Sequence, residues 1–279
     1  MAQTVGAVMS SHVPAIGGAI HRNLQNDPYW KPFFDGFVPV RQWLGDVKPD
    51  VAVVFSNDHG LNFFLDKMPT FAIGAAPEYR NADEGWGIPE LPPFAGAEAL
   101  SWHLIESLVA ENFDLTMCQE MKVDHAFTLP HALLWPDMKW PVKVVPICIN
   151  TVLFPLPSAA RCLALGQAVG RAIRSWGGNE RVLVLGTGGL SHQLEGERAG
   201  HINKAFDTAF MDSLTKDPAW ATRYSINELV KQAGTQGIEL LNWVAARGAL
   251  TGQVSELHRN YHIPISNTAA GLMLFENQG

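Results

Sequence analysis

Four of the ten histidines share a local setting. His12 stands in SSHVP, His59 in SNDHG, His125 in VDHAF and His192 in GTGGLSHQ. Each follows a short apolar run where the chain leaves it, with small or polar residues beside the imidazole. Imidazole is a common neutral metal ligand and titrates near neutrality, so four on one rim can build a metal site or a proton relay. Singly, each is as well explained by a hydrogen bond to a loop carbonyl; the conjunction argues for chemistry. Asn57 and Asp58 before His59, and Asp124 before His125, are placed to orient neighbouring groups, although a turn or cap accounts equally well for Asp58.

A site built on two imidazoles needs an anionic partner. Glu239, in TQGIELLNWV, is an acid among apolar residues near a helix start, where the helix dipole alone would also favour it. Two histidines and one carboxylate form the facial arrangement of non-haem Fe(II) oxygenases, with open positions for substrate and O2; Zn(II) can use the same set. His103 falls on an amphipathic helical pattern, and His21, His131, His201, His258 and His262 lack the strand-then-loop setting, so these are expected to be structural or exposed. His262 differs in being followed by the polar Ser266-Asn267-Thr268. GTGGLSH carries tight-turn glycines but matches neither the P-loop nor the dinucleotide fingerprint, and Ser191-His192 lacks a nucleophile elbow.

The elements that must position these groups are legible as apolar runs. Residues 4–11, 50–57, 142–149 and 181–188 read as buried strands. A helix is expected from a cap at Ser158 to Gly177-Gly178, and another over residues 237–249. The alternation implies an α/β fold with a largely parallel or mixed sheet covered by helices. In such sheets ligands collect beyond the carboxyl ends of strands, where the four histidines fall. Residues 69–94, rich in Gly and Pro, read as a long surface excursion lining a site. With neither repeat nor linker, a single domain over residues 1–279 is expected.

Hydrophobic residues make up 47% of the chain and charged residues 17%, enough for a substantial core and little enough surface charge to suggest contact with another subunit. A net charge of -7 without a basic run argues against nucleic acid or an anionic membrane and for a small ligand. Cys118, Cys148 and Cys162 show neither a disulfide framework nor a zinc ribbon, which fits a reducing cytoplasm. The N-terminal segment lacks a basic region and is interrupted by His12 and Pro14, so it does not read as a signal peptide, and no stretch has the apolar length of a membrane span.

The segments SSHVPAIG, SNDHG, PTFAIG, ADEGWG, VDHAFTLP, GTGGLSHQLEGERAG and YHIPISNTA, in order from residue 10 to residue 268, resemble the class III extradiol dioxygenases, specifically the protocatechuate 4,5-dioxygenase catalytic β-subunit family. The resemblance implies an αβα layered domain with a mixed central sheet and a mononuclear Fe(II) site at the strand carboxyl ends. It implies iron ligands His12, His59 and Glu239, with His192 as acid-base residue, His125 as its pocket partner and Ser266 at the substrate carboxylate; Asn57, just before His59, is expected on the substrate side as well. The implied reaction is extradiol cleavage of a carboxylated catechol by O2, protocatechuate to 4-carboxy-2-hydroxymuconate semialdehyde, with gallate or a related catechol as the alternative. A Zn-dependent hydrolase on the same histidines and a non-catalytic binding protein of the same fold are the competing classes. Such enzymes work with a small helical α subunit. Related gallate enzymes carry that segment fused at the C-terminus, whereas this sequence stops at Gly279, so a separate α chain and a heterotetramer are expected.

Overall fold

A parallel strand covered by helices on both faces must be apolar at successive positions, and the four runs meet that condition. The computed structural model describes residues 1–85, 90–265 and 267–278. Its strands are β1 (Gln3–Ser10), β2 (Val51–Ser56), β3 (Phe71–Gly74), β4 (Glu78–Asn81), β5 (Phe94–Ala95), β6 (Thr116–Cys118), β7 (Lys122–Val123), β8 (Lys143–Ile149), β9 (Arg181–Thr187), β10 (Val254–Ile265) and β11 (Thr268–Asn277). The helices are α1 (Pro14–His21), α2 (Lys31–Asp35), α3 (Val38–Val47), α4 (Glu98–Ala110), α5 (His125–Leu134), α6 (Ala159–Ser175), α7 (Lys204–Lys216), α8 (Ile226–Ala233) and α9 (Leu240–Ala249).

Eight strands form one mixed sheet in the order β10-β11-β1-β9-β2-β8-β3-β6. Its centre is parallel: β1 with β9, β9 with β2 and β2 with β8. β11 and β3 join antiparallel, at β1 and β8 respectively. Alternate residues serve opposite cores. Met9, Val53, Phe55 and Val184 pack with α4, α6, α7 and α9, while Val8, Ala52, Val54 and Leu185 pack with α1, α2, α3 and α5. That division makes the αβα layering.

The expected helices form with the expected start. The Ser158 side chain accepts from the Arg161 backbone N–H to cap α6, which stops at Ser175, just before the glycine pair. The segment 237–249 divides into a 3-10 turn, Gly237–Glu239, and α9. Residues 69–94 are not wholly irregular: β3 joins the main sheet, and β4 and β5 with β7 make a small second sheet. The β10–β11 hairpin follows no signal recognised in the sequence, because β10 is only partly buried and β11 draws on Ala, Gly, Leu and Met rather than β-branched residues. All three cysteines are free. Among the described residues no helix is long and apolar enough to cross a membrane.

Candidate metal centre at the strand carboxyl ends

The parallel register pairs Ser10 with Thr187, so β1 and β9 end side by side. His12 lies two residues beyond Ser10, buried, with Nδ1 3.2 Å from the Thr187 hydroxyl. Its Nε2 lies 3.2 Å from Glu239 Oε2. Beyond β2, Asn57 and His59 approach the same carboxylate: His59 Nε2 is 3.2 Å from Glu239 Oε1, and the Asn57 amide donates to that oxygen over 3.2 Å. Asn242, on α9, holds Asn57 by donating to its Oδ1 and ties itself to the Thr187 carbonyl. Glu239 can reach back because its turn is fastened to the neighbouring loop, where the His192 carbonyl accepts from the N–H groups of Gln236 and Gly237.

Carboxylates also stand behind two of the imidazoles. Asp124 Oδ2 accepts from the His59 backbone N–H over 2.8 Å and meets its Nδ1 at 2.9 Å, while Oδ1 caps α5 at the Ala126 N–H. Glu84 treats His125 likewise, one oxygen on the backbone N–H and the other on Nδ1, both over 2.7 Å. The His59 and His125 rings stack with centroids 4.2 Å apart, and His12 meets both edge-on. Nitrogen atoms of His12, His59 and His125 all lie within 4.8 Å of one another. Among the described residues three overlapping donor sets therefore exist: the three imidazoles, two imidazoles with Glu239, and His125 with Glu84 and Asp124.

Around Glu239, burial and neighbouring charge oppose one another. Burial opposes a charge on Glu239, but His12 and His59 outweigh it and hold the carboxyl well below its usual range. Burial lowers the His12 pKa against the pull of Glu239. His59 is pushed the other way: although burial resists, Asp124 and Glu239 raise its pKa well above the usual value, so a cation at Nε2 would take the place of a proton. Its side chain keeps 28% exposure, so the rim is reachable from solvent. His12 Nε2 is buried and faces Glu239 Oε2 at 3.2 Å without a well-aligned hydrogen bond.

GTGGLSH has a steric explanation. Gly188 sits at φ +109°, and a Cβ there would lie 2.5 Å from the Glu239 Cβ and 3.2 Å from His12 Cε1. Only glycine leaves room for both. His192 follows on the same loop, its backbone fixed by Ala233 and by a bridge to Thr268. Burial, with His12 and His59 adding to it against Glu239, lowers its pKa. Beneath it, Asp207 Oδ1 accepts from the Ser191 N–H and hydroxyl and Oδ2 from the Tyr261 hydroxyl; burial raises this carboxyl to about 6.

The structure thus gathers His12, His59, His125, Asn57 and Glu239 and brings His192 within electrostatic reach, while Ser266 lies outside the described residues. Asp58 is a turn residue, its carboxylate accepting from the N–H groups of Gly60, Leu61, Asn62 and Phe63. His131 is buried among Phe94, Phe127 and Trp140, and His103 and His258 bond backbone carbonyls. Glu84, Thr187 and Asn242 were not singled out from sequence. Glu84 had a signal, since it falls in ADEGWG within the Gly/Pro-rich excursion; Asn242, a polar side chain on an apolar helix, had a weaker one.

A mixed α/β layer with imidazoles and one carboxylate gathered where central strands end is the class that fold and site define. The chain belongs to the family described as the catalytic LigB subunit of aromatic ring-opening dioxygenase, whose model matches residues 6–272. It is 39% identical over 198 residues to a gallate dioxygenase of Pseudomonas putida, covering 71% of this chain and 58% of that protein. It is 30% identical to a 2,3-dihydroxyphenylpropionate/2,3-dihydroxicinnamic acid 1,2-dioxygenase of Rhodococcus jostii, covering 86% and 87%. The first relatives named in this way are longer, and the chain spans little more than half their length. An uncharacterised Escherichia coli K12 protein shares the fold, with a TM-score of 0.54 at 14% identity, covering 97% of this chain and 99% of that one.

Proposed function

We propose that this chain is the catalytic unit of an Fe(II)-dependent extradiol dioxygenase that opens a carboxylated catechol, with iron held by His12, His59 and Glu239. The observation that carries the reading is the Glu239 carboxylate spanning both Nε2 atoms at 3.2 Å each. Fe(II), when bound, supplies a Lewis-acid and redox centre at which catechol hydroxyls and O2 meet. The rest falls to the protein. Asp124 fixes the His59 tautomer so that Nε2 faces the site, and Thr187 does the same for His12. Asn57 holds Glu239 and lies at the substrate edge. His192, with its pKa lowered, is a base available near neutrality; it takes a catechol hydroxyl proton and returns it later in the cycle. Glu84 engages His125 at Nδ1, leaving Nε2 to meet O2 or developing negative charge. Ser266 is assigned to the substrate carboxylate.

Protocatechuate is the first substrate to test; the gallate dioxygenase relative favours gallate as the second. A small helical α subunit on a separate chain, in a heterotetramer, completes the proposed assembly, and three free cysteines fit a cytoplasmic setting. The test is anaerobic loading with Fe(II), with and without such a subunit, followed by O2 uptake and formation of yellow ring-opened product. Uptake with either catechol supports ring cleavage, and the preferred catechol sets the substrate. Bound iron with no uptake from either, partner present, would return the site to a Zn-dependent hydrolase or a binding protein.

A further inference from the structure

The far end of the sheet has a different character. α6 and α9 leave the carboxyl-end rim and run parallel, packed so closely that a Cβ on Gly166 would lie 1.9 Å from the Ala245 carbonyl oxygen and one on Gly170 2.5 Å from that of Ala249. Their last turns therefore lie together, and they carry Arg171, Arg174 and Arg247. These three guanidiniums, with Gln167 and Thr251, line a cavity of about 450 Å³.

Arg171 is paired with Glu111. Among the described residues Arg174 and Arg247 have no carboxylate partner. Arg247 is 8% exposed; its Nε donates to the Leu214 carbonyl over 2.6 Å and so closes the end of α7. Its terminal nitrogens make no hydrogen bond to the described protein atoms and stay open to solvent at a residue that lines the cavity. Burial lowers its pKa with no acid opposing the shift. Two helix C-termini, worth about half a negative charge each, and the Glu111 carboxylate offset roughly two of the three positive charges and leave about one. A guanidinium with no carboxylate partner keeps its planar fork free to hold an oxyanion bidentately.

We propose that this cavity binds a small multivalent oxyanion, a phosphate or a polycarboxylate, held between Arg247 and the two α6 arginines. The need to cap α7 accounts for Nε of Arg247 but not for its free terminal nitrogens.

The test is calorimetric titration of inorganic phosphate, and separately of citrate, into the full chain at an ionic strength fixed with sodium chloride. The expected result is saturable one-to-one binding that weakens at least tenfold in Arg174→Gln, an exposed position where the fold is not at stake. Arg247→Gln should lose binding, with thermal unfolding checking that it still folds. His12→Ala, at the opposite rim, should bind as the parent does. Tighter phosphate points to a phosphoryl ligand and tighter citrate to a carboxylate. No saturable binding of either anion, binding indifferent to Arg174→Gln, or binding abolished by His12→Ala would overturn the proposal; the last would put the anion at the candidate metal centre.

Discussion

His59 and His125 stack face to face, and each has a carboxylate on its backbone N–H and on Nδ1, yet the two arrangements rest on different supports. Asp124, behind His59, is 3% exposed and caps α5, so helix and imidazole share one anchor. Glu84, behind His125, has a side chain 16% exposed and comes from the excursion between β4 and β5. Burial resists ionisation of Asp124, but His59 and His125 prevail and hold its pKa at about 2. The difference teaches that one wall of the site, His12, His59 and Glu239, is fixed by strand ends and a helix cap, whereas the His125 wall depends on a loop. The difference suits the proposed roles, since a metal needs its ligands fixed in advance and a residue that meets substrate tolerates an adjustable support.

The largest effect should come from breaking the fixed wall. Glu239→Ala should lose stoichiometric Fe(II), measured by metal analysis after anaerobic loading, and all turnover with it. Full iron retention in Glu239→Ala, together with its loss in His125→Ala, would place the metal on the three-imidazole set and erase the distinction between the walls. Next is His192→Ala, which should keep iron and slow turnover by about 10²- to 10⁴-fold, the usual worth of a general acid–base residue. A matching fall in iron occupancy would make His192 part of the metal support.

Much of the fixed wall was legible because it is local. Runs such as VAVVF and VLVLG read as buried strands, and His12, His59 and the GTGG segment each follow a run of this kind within a few residues. Glu239 was visible as an acid in apolar surroundings, but its reach to His12 was not, because that depends on Gly188 leaving space far earlier in the chain. The pairing of Glu84 with His125 spans 41 residues and follows no periodicity. The excursion was recognised as lining a site from its glycines and prolines, yet composition says nothing about which carboxylate turns inward. The β10–β11 hairpin escaped notice because its burial comes from pairing with β1, a tertiary fact.

The two carboxylates provide a finer comparison. Asp124→Asn keeps an oxygen for the helix cap but weakens the hold on His59, and iron affinity should fall by about 10- to 100-fold, read by competition with a chelator. Glu84→Gln should leave iron affinity unchanged and reduce turnover about tenfold, the rate equivalent of losing roughly 1.4 kcal/mol from a charge-assisted hydrogen bond. Equal effects of both variants on iron affinity would show that the stacked rings act as one unit.

The smallest effect on turnover, and one read in stability, concerns the anchor beneath His192. Asp207 is 1% exposed, and burial raises its carboxyl to about 6 despite the bonds from Tyr261 and Ser191. A carboxyl raised in the folded state stabilises the fold while protonated: the contribution is complete below the unfolded pKa of about 3.9 and is lost as pH rises through about 6, amounting to roughly 3 kcal/mol. Asp207→Asn cannot ionise and keeps the oxygen that Ser191 needs, although the Tyr261 hydroxyl must then accept rather than donate. Its stability relative to the parent, from denaturant midpoints, should therefore rise by up to about 3 kcal/mol between pH 4 and pH 8, since other carboxylates titrate alike in both proteins. A difference that stays flat across that range would mean that Asp207 is ionised throughout, and that the loop bearing His192 rests on a charged anchor like Asp124 rather than on a protonatable one.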